Sequence, residues 1–160
     1  MTAIEITIRT LRECDLPEAD RIYRLAFGAF IGVPDPMTFA GDTEYVRTRW
    51  LADPDSALGA ESAGALIGSN FLTNWGSVGF FGPLTIRPDF WDKGVASRLL
   101  ETTMDIFAGW GTKLTGLYTF AQSAKHVHLY QKFGFWPQFI TAIMTKPDDQ
   151  TLTALPWSGF

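Results

Sequence analysis

The stretch from Ser56 to Pro88 constrains the fold more than any other part of the chain. Charged side chains almost vanish there, and Gly, Ala, Ser, Phe and Leu predominate between two turn signals, Ser62-Ala63-Gly64 and Asn74-Trp75-Gly76. An apolar run broken at hairpin intervals predicts three consecutive antiparallel strands, at about 56–61, 65–73 and 77–86. Pro83 falls inside the last of them. Proline has no N–H to give to a sheet ladder, so that strand is expected to bulge or lose pairing at Gly82-Pro83, leaving a gap in the sheet.

The flanking segments supply the remaining elements. Ile4, Ile6 and Ile8 alternate with Glu5, Thr7 and Arg9, the pattern of a half-buried strand. Asp15 followed by Glu18 reads as a capping box, Pro17 suits a first turn, and Leu16, Ala19, Ile22, Tyr23, Ala26, Phe27 and Phe30 recur at helical spacing, giving a helix over about 15–29. Gly32-Val33-Pro34-Asp35-Pro36 breaks it, and a second helix is expected from about Asp42 or Thr43 to Leu51. Past the strands, Val95, Leu99, Thr103, Ile106 and Trp110 form a helical face closed by Gly109 and Gly111, and Leu114 to Phe120 reads as a strand. Ser123 caps a fourth helix carrying His126, Leu129, Tyr130 and Phe133, with Gly134 as its left-handed terminator and a last strand region from Phe135 to Lys146. The expected architecture is a single α/β domain over residues 1–147, with a tail over 148–160.

Composition narrows the function classes. A formal net charge of -4 provides no basic footprint for nucleic acid. Cys14 is the only cysteine, which excludes an intramolecular disulfide and a cysteine-rich zinc site. His126 and His128 are two apart on a helix and point to different sides, so they are not expected to share a metal, and at most one is expected to face a ligand. No segment approaches the roughly 20 apolar residues of a membrane span, and the N-terminus lacks the apolar core of a secretion signal. A cytoplasmic protein without membrane or nucleic-acid partners is expected.

The chemistry-bearing segment follows the third of the central strands: Ile86-Arg87-Pro88-Asp89-Phe90-Trp91-Asp92-Lys93-Gly94-Val95-Ala96-Ser97, running directly into a helix. A helix start presents unpaired N–H groups and the positive end of the helix dipole, and small residues let a phosphate approach both. Neither the Walker phosphate loop nor the Gly-x-Gly-x-x-Gly dinucleotide fingerprint is present.

Two motifs in this order make the chain similar to the GCN-five-related N-acetyltransferase superfamily. One is Leu84-Thr85-Ile86-Arg87-Pro88 followed by Trp91-Asp92-Lys93-Gly94-Val95-Ala96, resembling that family's Gln/Arg-x-x-Gly-x-Gly/Ala cofactor loop; the other is Leu129-Tyr130-Gln131-Lys132-Phe133-Gly134-Phe135. The resemblance implies a mixed six- to seven-stranded sheet splayed between its fourth and fifth strands, about four helices, and acetyl-CoA held in the split. By position, backbone groups of Leu84, Thr85 and Ile86 would pair with the pantetheine arm, and N–H groups from Trp91, Asp92, Lys93, Gly94, Val95, Ala96 and Ser97 would hold the pyrophosphate. Ser123 and His126 would adjoin the cofactor. Arg87, Lys93, Arg98 and Lys125 are the cations available to the phosphates. Tyr130 matches the tyrosine that protonates the departing thiolate, and the backbone N–H of Thr85 or a neighbour is the candidate oxyanion donor.

The resemblance implies transfer of an acetyl group to a primary amine of a small molecule or peptide; a non-catalytic acyl-CoA-binding sensor of the same fold is the alternative. No base is evident, because Ser77 to Ile86 contains no acid and no histidine; Asn70, Asn74, Ser123 and His126 are candidates for positioning water. The chain departs from the family pattern where Trp91 replaces Gln or Arg, and where Ser123 stands for Asn. The short segment after Phe135 leaves room for a homodimer that completes the sheet edge. Phe27, Phe30, Phe39, Trp50 and Trp75 fall where relatives shape the acceptor pocket, favouring an apolar or aromatic amine.

Overall fold

The computed structural model describes residues 4–139 and 141. Five strands form one sheet in the order β1 (Thr7–Thr10), β2 (Ala57–Ser62), β3 (Ala65–Trp75), β4 (Val78–Ile86) and β5 (Leu114–Gly116). The first three junctions are antiparallel and the last is parallel. Helices α1 (Leu16–Ile31) and α2 (Tyr45–Ala52) precede β2, α3 (Val95–Trp110) crosses from β4 to β5, and α4 (Ala124–Gln131) follows β5.

The scarcity of charge between Ser56 and Pro88 has a direct cause, since the strands drawn from it are covered on both faces. Leu58, Ile67, Leu72 and Phe81 pack with Leu99, Leu100 and Phe107 of α3, while Ala57, Leu66 and Phe71 pack with Ala19 and Ile22 of α1 and Val46 of α2. In β3 every residue from Leu66 to Leu72 is buried. Burying a Leu, Ile or Phe side chain contributes about 1.5–3 kcal/mol, so these two half-cores hold the helices to the sheet.

The boundary residues differ in detail from sequence expectation. The carboxylate of Asp15 does not cap α1; it accepts two bonds from the Arg9 guanidinium, at 2.7 and 3.0 Å, and one from the Arg12 backbone N–H. Glu18 pairs with Arg21 instead of completing a capping box. Gly32 (φ 77°) and Gly111 (φ 67°) end α1 and α3 in left-handed conformation, and Gly134 (φ 85°) does the same beyond α4.

The sheet opens where Pro83 places the irregularity. Asn70 pairs with Leu84 and Leu72 with Phe81, so Phe71 alone opposes both Gly82 and Pro83. On its other edge β4 pairs with β5 only through Val78, Gly79 and Phe80. The strand expected over Leu114 to Phe120 stops at Gly116, and residues 117–120 are not paired with β4 and have no regular structure. The result is a sheet splayed between its fourth and fifth strands. Five strands are present among the described residues, against six to seven expected. Residues 135–139 have no regular structure, and the rest of the last strand region, with the tail over 148–160, lies outside the described residues.

Candidate active site

A cavity of about 440 Å³ occupies the opening between β4 and the chain leaving β5. Its borders come from Phe81 to Ile86 on β4, the loop into α3, residues 117–120, the last turns of α1 and one face of α4. Of the residues singled out in the sequence, Leu84, Thr85, Ile86, Trp91, Asp92, Gly94, Val95, Ala96, Ser97, His126 and Tyr130 line it. Lys93 and Ser123 do not.

The β4 edge in the cavity has unused hydrogen-bonding capacity. The Arg87 N–H donates to the Ile67 carbonyl at 2.9 Å, in the register that also sets Thr85 opposite Ser69. Bonded pairs recur at every second residue of an antiparallel ladder, so Thr85 spends its backbone groups on Ser69. The N–H and carbonyl of Leu84 and the N–H of Ile86 point the other way, into the split, while the Ile86 carbonyl accepts the Trp91 indole N–H. The Thr85 hydroxyl lies 3.1 Å from that of Ser69, and both are buried. The N–H groups on this strand that face the cavity are therefore those of Leu84 and Ile86, and not that of Thr85.

The loop into α3 is shaped by two left-handed residues, Asp92 (φ 62°) and Gly94 (φ 80°), on either side of Lys93. No side chain caps α3, and the first backbone bond into it runs from the Arg98 N–H to the Gly94 carbonyl. The N–H groups of Val95, Ala96 and Ser97 thus have no helical partner, and all three residues border the cavity. Three free donors at the positive end of a 16-residue helix form a receptor for an anion. Trp91, standing where a polar side chain was expected, turns its indole N–H back to the Ile86 carbonyl at 2.8 Å and fixes the loop against the strand.

Among the four candidate cations only Lys125 borders the cavity. Its ammonium pairs with Asp92 at 2.6 Å, tying α4 to the loop across the opening, and both side chains are exposed. Arg87 is engaged with Asp89 and lies over the Phe90 ring, as does Lys93; Arg98 faces Glu101.

Tyr130 is 8% exposed and packs on Phe81. Burial pushes its phenol up to about 12, so the hydroxyl stays protonated throughout the neutral range. One turn earlier, His126 is half-buried, with Nδ1 2.7 Å from the Ser123 hydroxyl and its ring edge-on to Phe30, 4.8 Å between centroids. Burial, and secondarily the charge of Lys125, depress its basicity below the ordinary value. His128 also borders the cavity, so both histidines reach it, although His128 is exposed.

Several positions are elsewhere. Asn70 is fully buried against Thr103, bonded at 2.9 Å, and Asn74 accepts the Gly76 N–H in the β3–β4 turn. Of the aromatics, Phe27 and Phe30 line the cavity; Phe39 packs behind Phe27, the Trp50 indole donates to the Leu11 carbonyl, and Trp75 is exposed at the far end of β3. Tyr118 and Phe120 are cavity residues that sequence reasoning missed, having counted them in a strand. Among the described residues no group of three or more His, Cys, Asp or Glu side chains is placed to hold a metal, and no helix is long and apolar enough to cross a membrane.

Comparison with known proteins agrees with this geometry. A protein from Pyrococcus horikoshii OT3 superposes with a TM-score of 0.74 over 87% of this chain and 94% of its own, at 22% identity. The ribosomal-protein-S18-alanine N-acetyltransferase from Escherichia coli superposes at 0.65, with 20% identity over 81% of this chain and 77% of its own. An aminoglycoside acetyltransferase from an uncultured soil metagenomic sample does so at 0.65, with 16% identity over 90% and 100%. These likenesses carry the fold; no curated protein sequence matches significantly. The model of the acetyltransferase (GNAT) family matches residues 19–135, most of the splayed sheet and both motifs that border the cavity, and the chain belongs to that family.

Proposed function

We propose that this acetyltransferase moves the acetyl group of acetyl-CoA to the primary amine of a small molecule or peptide whose amine-bearing end is apolar or aromatic. The observation that carries the reading is the convergence, on one cavity, of an unpaired β4 edge, an uncapped helix start and a buried protonated tyrosine. These residues suit coenzyme A. Its pantetheine arm has amide groups that match the backbone groups of Leu84 and the N–H of Ile86, and its pyrophosphate matches the N–H groups of Val95, Ala96 and Ser97, with Lys125 available once it leaves Asp92.

When bound, acetyl-CoA supplies a thioester whose carbonyl carbon accepts an amine. Each turnover forms one C–N bond and breaks one C–S bond, while one proton leaves nitrogen and one reaches sulfur. The Tyr130 hydroxyl is suited to give the proton to sulfur. A backbone N–H of the open β4 edge is suited to hold the carbonyl oxygen as it gains charge.

The acceptor side supports an apolar amine. Phe27, Phe30, Phe120 and Tyr118 border the cavity, and Asp92 is its only carboxylate among the described residues, already paired with Lys125. A polycationic acceptor would find no free acid there.

Titration calorimetry with acetyl-CoA, followed by thiol release over a panel of arylalkylamines, polyamines, aminoglycosides and N-terminal peptides, tests the reading. Turnover fastest with amines bearing an aromatic or aliphatic body is expected. A preference for polyamines would overturn the acceptor assignment, and absence of acetyl-CoA binding at millimolar concentration would overturn the whole reading.

A further inference from the structure

No acid stands on β4 to take the amine proton, yet transfer cannot finish while nitrogen keeps it. The α4 face opposite β4 carries a better-placed group. We propose that His126, oriented by Ser123, is the general base of the reaction and returns the proton it takes to Tyr130, one helical turn away. This rests on the amine attacking within the cavity described above.

Three features of the geometry point to it. His126 and Tyr130 are spaced i, i+4, so they share one face of α4, and both line the cavity. The imidazole is fixed on two sides, by Ser123 at Nδ1 and by the Phe30 ring, and Phe30 is itself braced by Phe120 at 4.9 Å. The Ser123 oxygen already accepts the backbone N–H of His126 as the cap of α4. A hydroxyl oxygen has two acceptor sites, so it can take the Nδ1 proton as well. That tautomer leaves Nε2 as an acceptor with no partner among the described residues.

The surroundings keep the ring neutral. Phe30 of α1 packs edge-on against it, the uncharged Phe27 borders the same cavity, and from the loop comes Asp92, bound to Lys125. The other titratable groups bordering the cavity are Tyr118, His128, Tyr130 and Lys132. Desolvation and the Lys125 charge together disfavour imidazolium.

The proton balance closes. The amine nitrogen bonds to the carbonyl carbon and passes a proton to Nε2, the C–S bond breaks with the electron pair on sulfur, and Tyr130 protonates that sulfur. The resulting phenolate is strongly disfavoured in its buried position, and the imidazolium neighbouring it returns the proton. Both groups end each turnover as they began.

Two measurements test the proposal. The first needs no substrate: imidazole nitrogen NMR, with signals assigned through the His128→Asn variant, is expected to show His126 neutral at pH about 7.5, protonated on Nδ1, and titrating below the ordinary histidine range. Protonation on Nε2, or titration above that range, would overturn it. The second compares wild type with His126→Gln and Ser123→Ala, using the fastest amine of the panel. His126→Gln is expected to lower kcat by about 100-fold or more and to abolish the acid limb of its pH profile, with acetyl-CoA affinity nearly unchanged. Ser123→Ala should show a partial loss of kcat and mixed tautomers. Weakened acetyl-CoA binding at unchanged kcat in His126→Gln would instead make the residue a cofactor contact and refute the base. A chain that turns over no amine would sink the acetyl-transfer reading, and the tautomer measurement would still judge His126.

Discussion

Replacing Tyr130 by Phe removes one oxygen from a well-packed ring, and the structure sets what that oxygen is worth in two separate ways. The hydroxyl makes no hydrogen bond among the described residues, and the ring keeps its contact with Phe81 at 5.8 Å. The variant should therefore fold with neutral-pH stability within about 1 kcal/mol of wild type. Turnover should fall at least about 100-fold, the lower end of what a positioned acid contributes, with acetyl-CoA affinity unchanged.

The second consequence is thermodynamic. The phenol rises from 10.0 to about 12 on folding because burial disfavours the phenolate, which corresponds to about 2–3 kcal/mol. A raised value means that the folded protein holds a proton that the unfolded chain releases. Its contribution is fully present below pH 10 and is lost as pH climbs through about 12. Wild type should thus lose up to about 2–3 kcal/mol more than Tyr130→Phe between pH about 10 and 12. Tyr23 is raised as well, but it is common to both proteins and cancels in the difference. Denaturant unfolding across that range measures the difference, and thiol release at neutral pH measures turnover. A stability difference that stays flat with pH would refute the buried phenol, and an unchanged kcat would refute its role as acid.

Other perturbations separate the parts of the site. Gly94→Ala places a Cβ that meets no atom within 4 Å, so its cost of about 1 kcal/mol in thermal unfolding comes from the left-handed backbone alone; calorimetry should show acetyl-CoA binding weakened by about 10-fold, and full affinity would exclude the loop as the phosphate cradle. Lys125→Ala breaks an exposed ion pair worth less than about 1 kcal/mol, so unfolding should barely change while acetyl-CoA affinity falls several-fold with a shallower salt dependence. Leu99→Ala empties a fully buried position between α3 and the sheet and should cost about 2–5 kcal/mol in denaturant unfolding without altering acetyl-CoA affinity; a cost below about 1 kcal/mol would contradict the packing described for that core.

The fold was legible where local chemistry and tertiary packing agree. Pro83 announced the bulge because a missing N–H has the same consequence in any sheet, and Gly111 and Gly134 announced chain reversals because few other residues accept positive φ. The end of β5 was illegible, since Leu117 to Phe120 keep an apolar pattern whether they extend a sheet or turn to line a cavity. Asp15 and Glu18 satisfied a capping pattern, but the guanidinium groups of Arg9 and Arg21 engage their carboxylates, and the one backbone N–H that Asp15 accepts is that of Arg12, ahead of the helix. At the site, the loop into α3 was visible as small residues before a helix. Which backbone groups of β4 are free was not, because that depends on register with β3. The pairing of Lys125 with Asp92 joins segments more than thirty residues apart and leaves no mark on either.

The short contact between β4 and β5 also bears on which molecules can use the free hydrogen bonds of the sheet. An ordinary outer strand offers its unpaired groups to any chain that collides with it, and is a hazard for aggregation. Here the available groups, those of Leu84 and the Ile86 N–H, lie inside the wedge, beyond the three residues of β4 that pair with β5. A strand of another protein would have to fit between β4 and the far wall of the cavity, formed by residues 117–120 and α4, to reach them. A thin, flexible chain entering end-on fits there more readily, so the shape of the opening filters partners by girth before any side chain reads their chemistry.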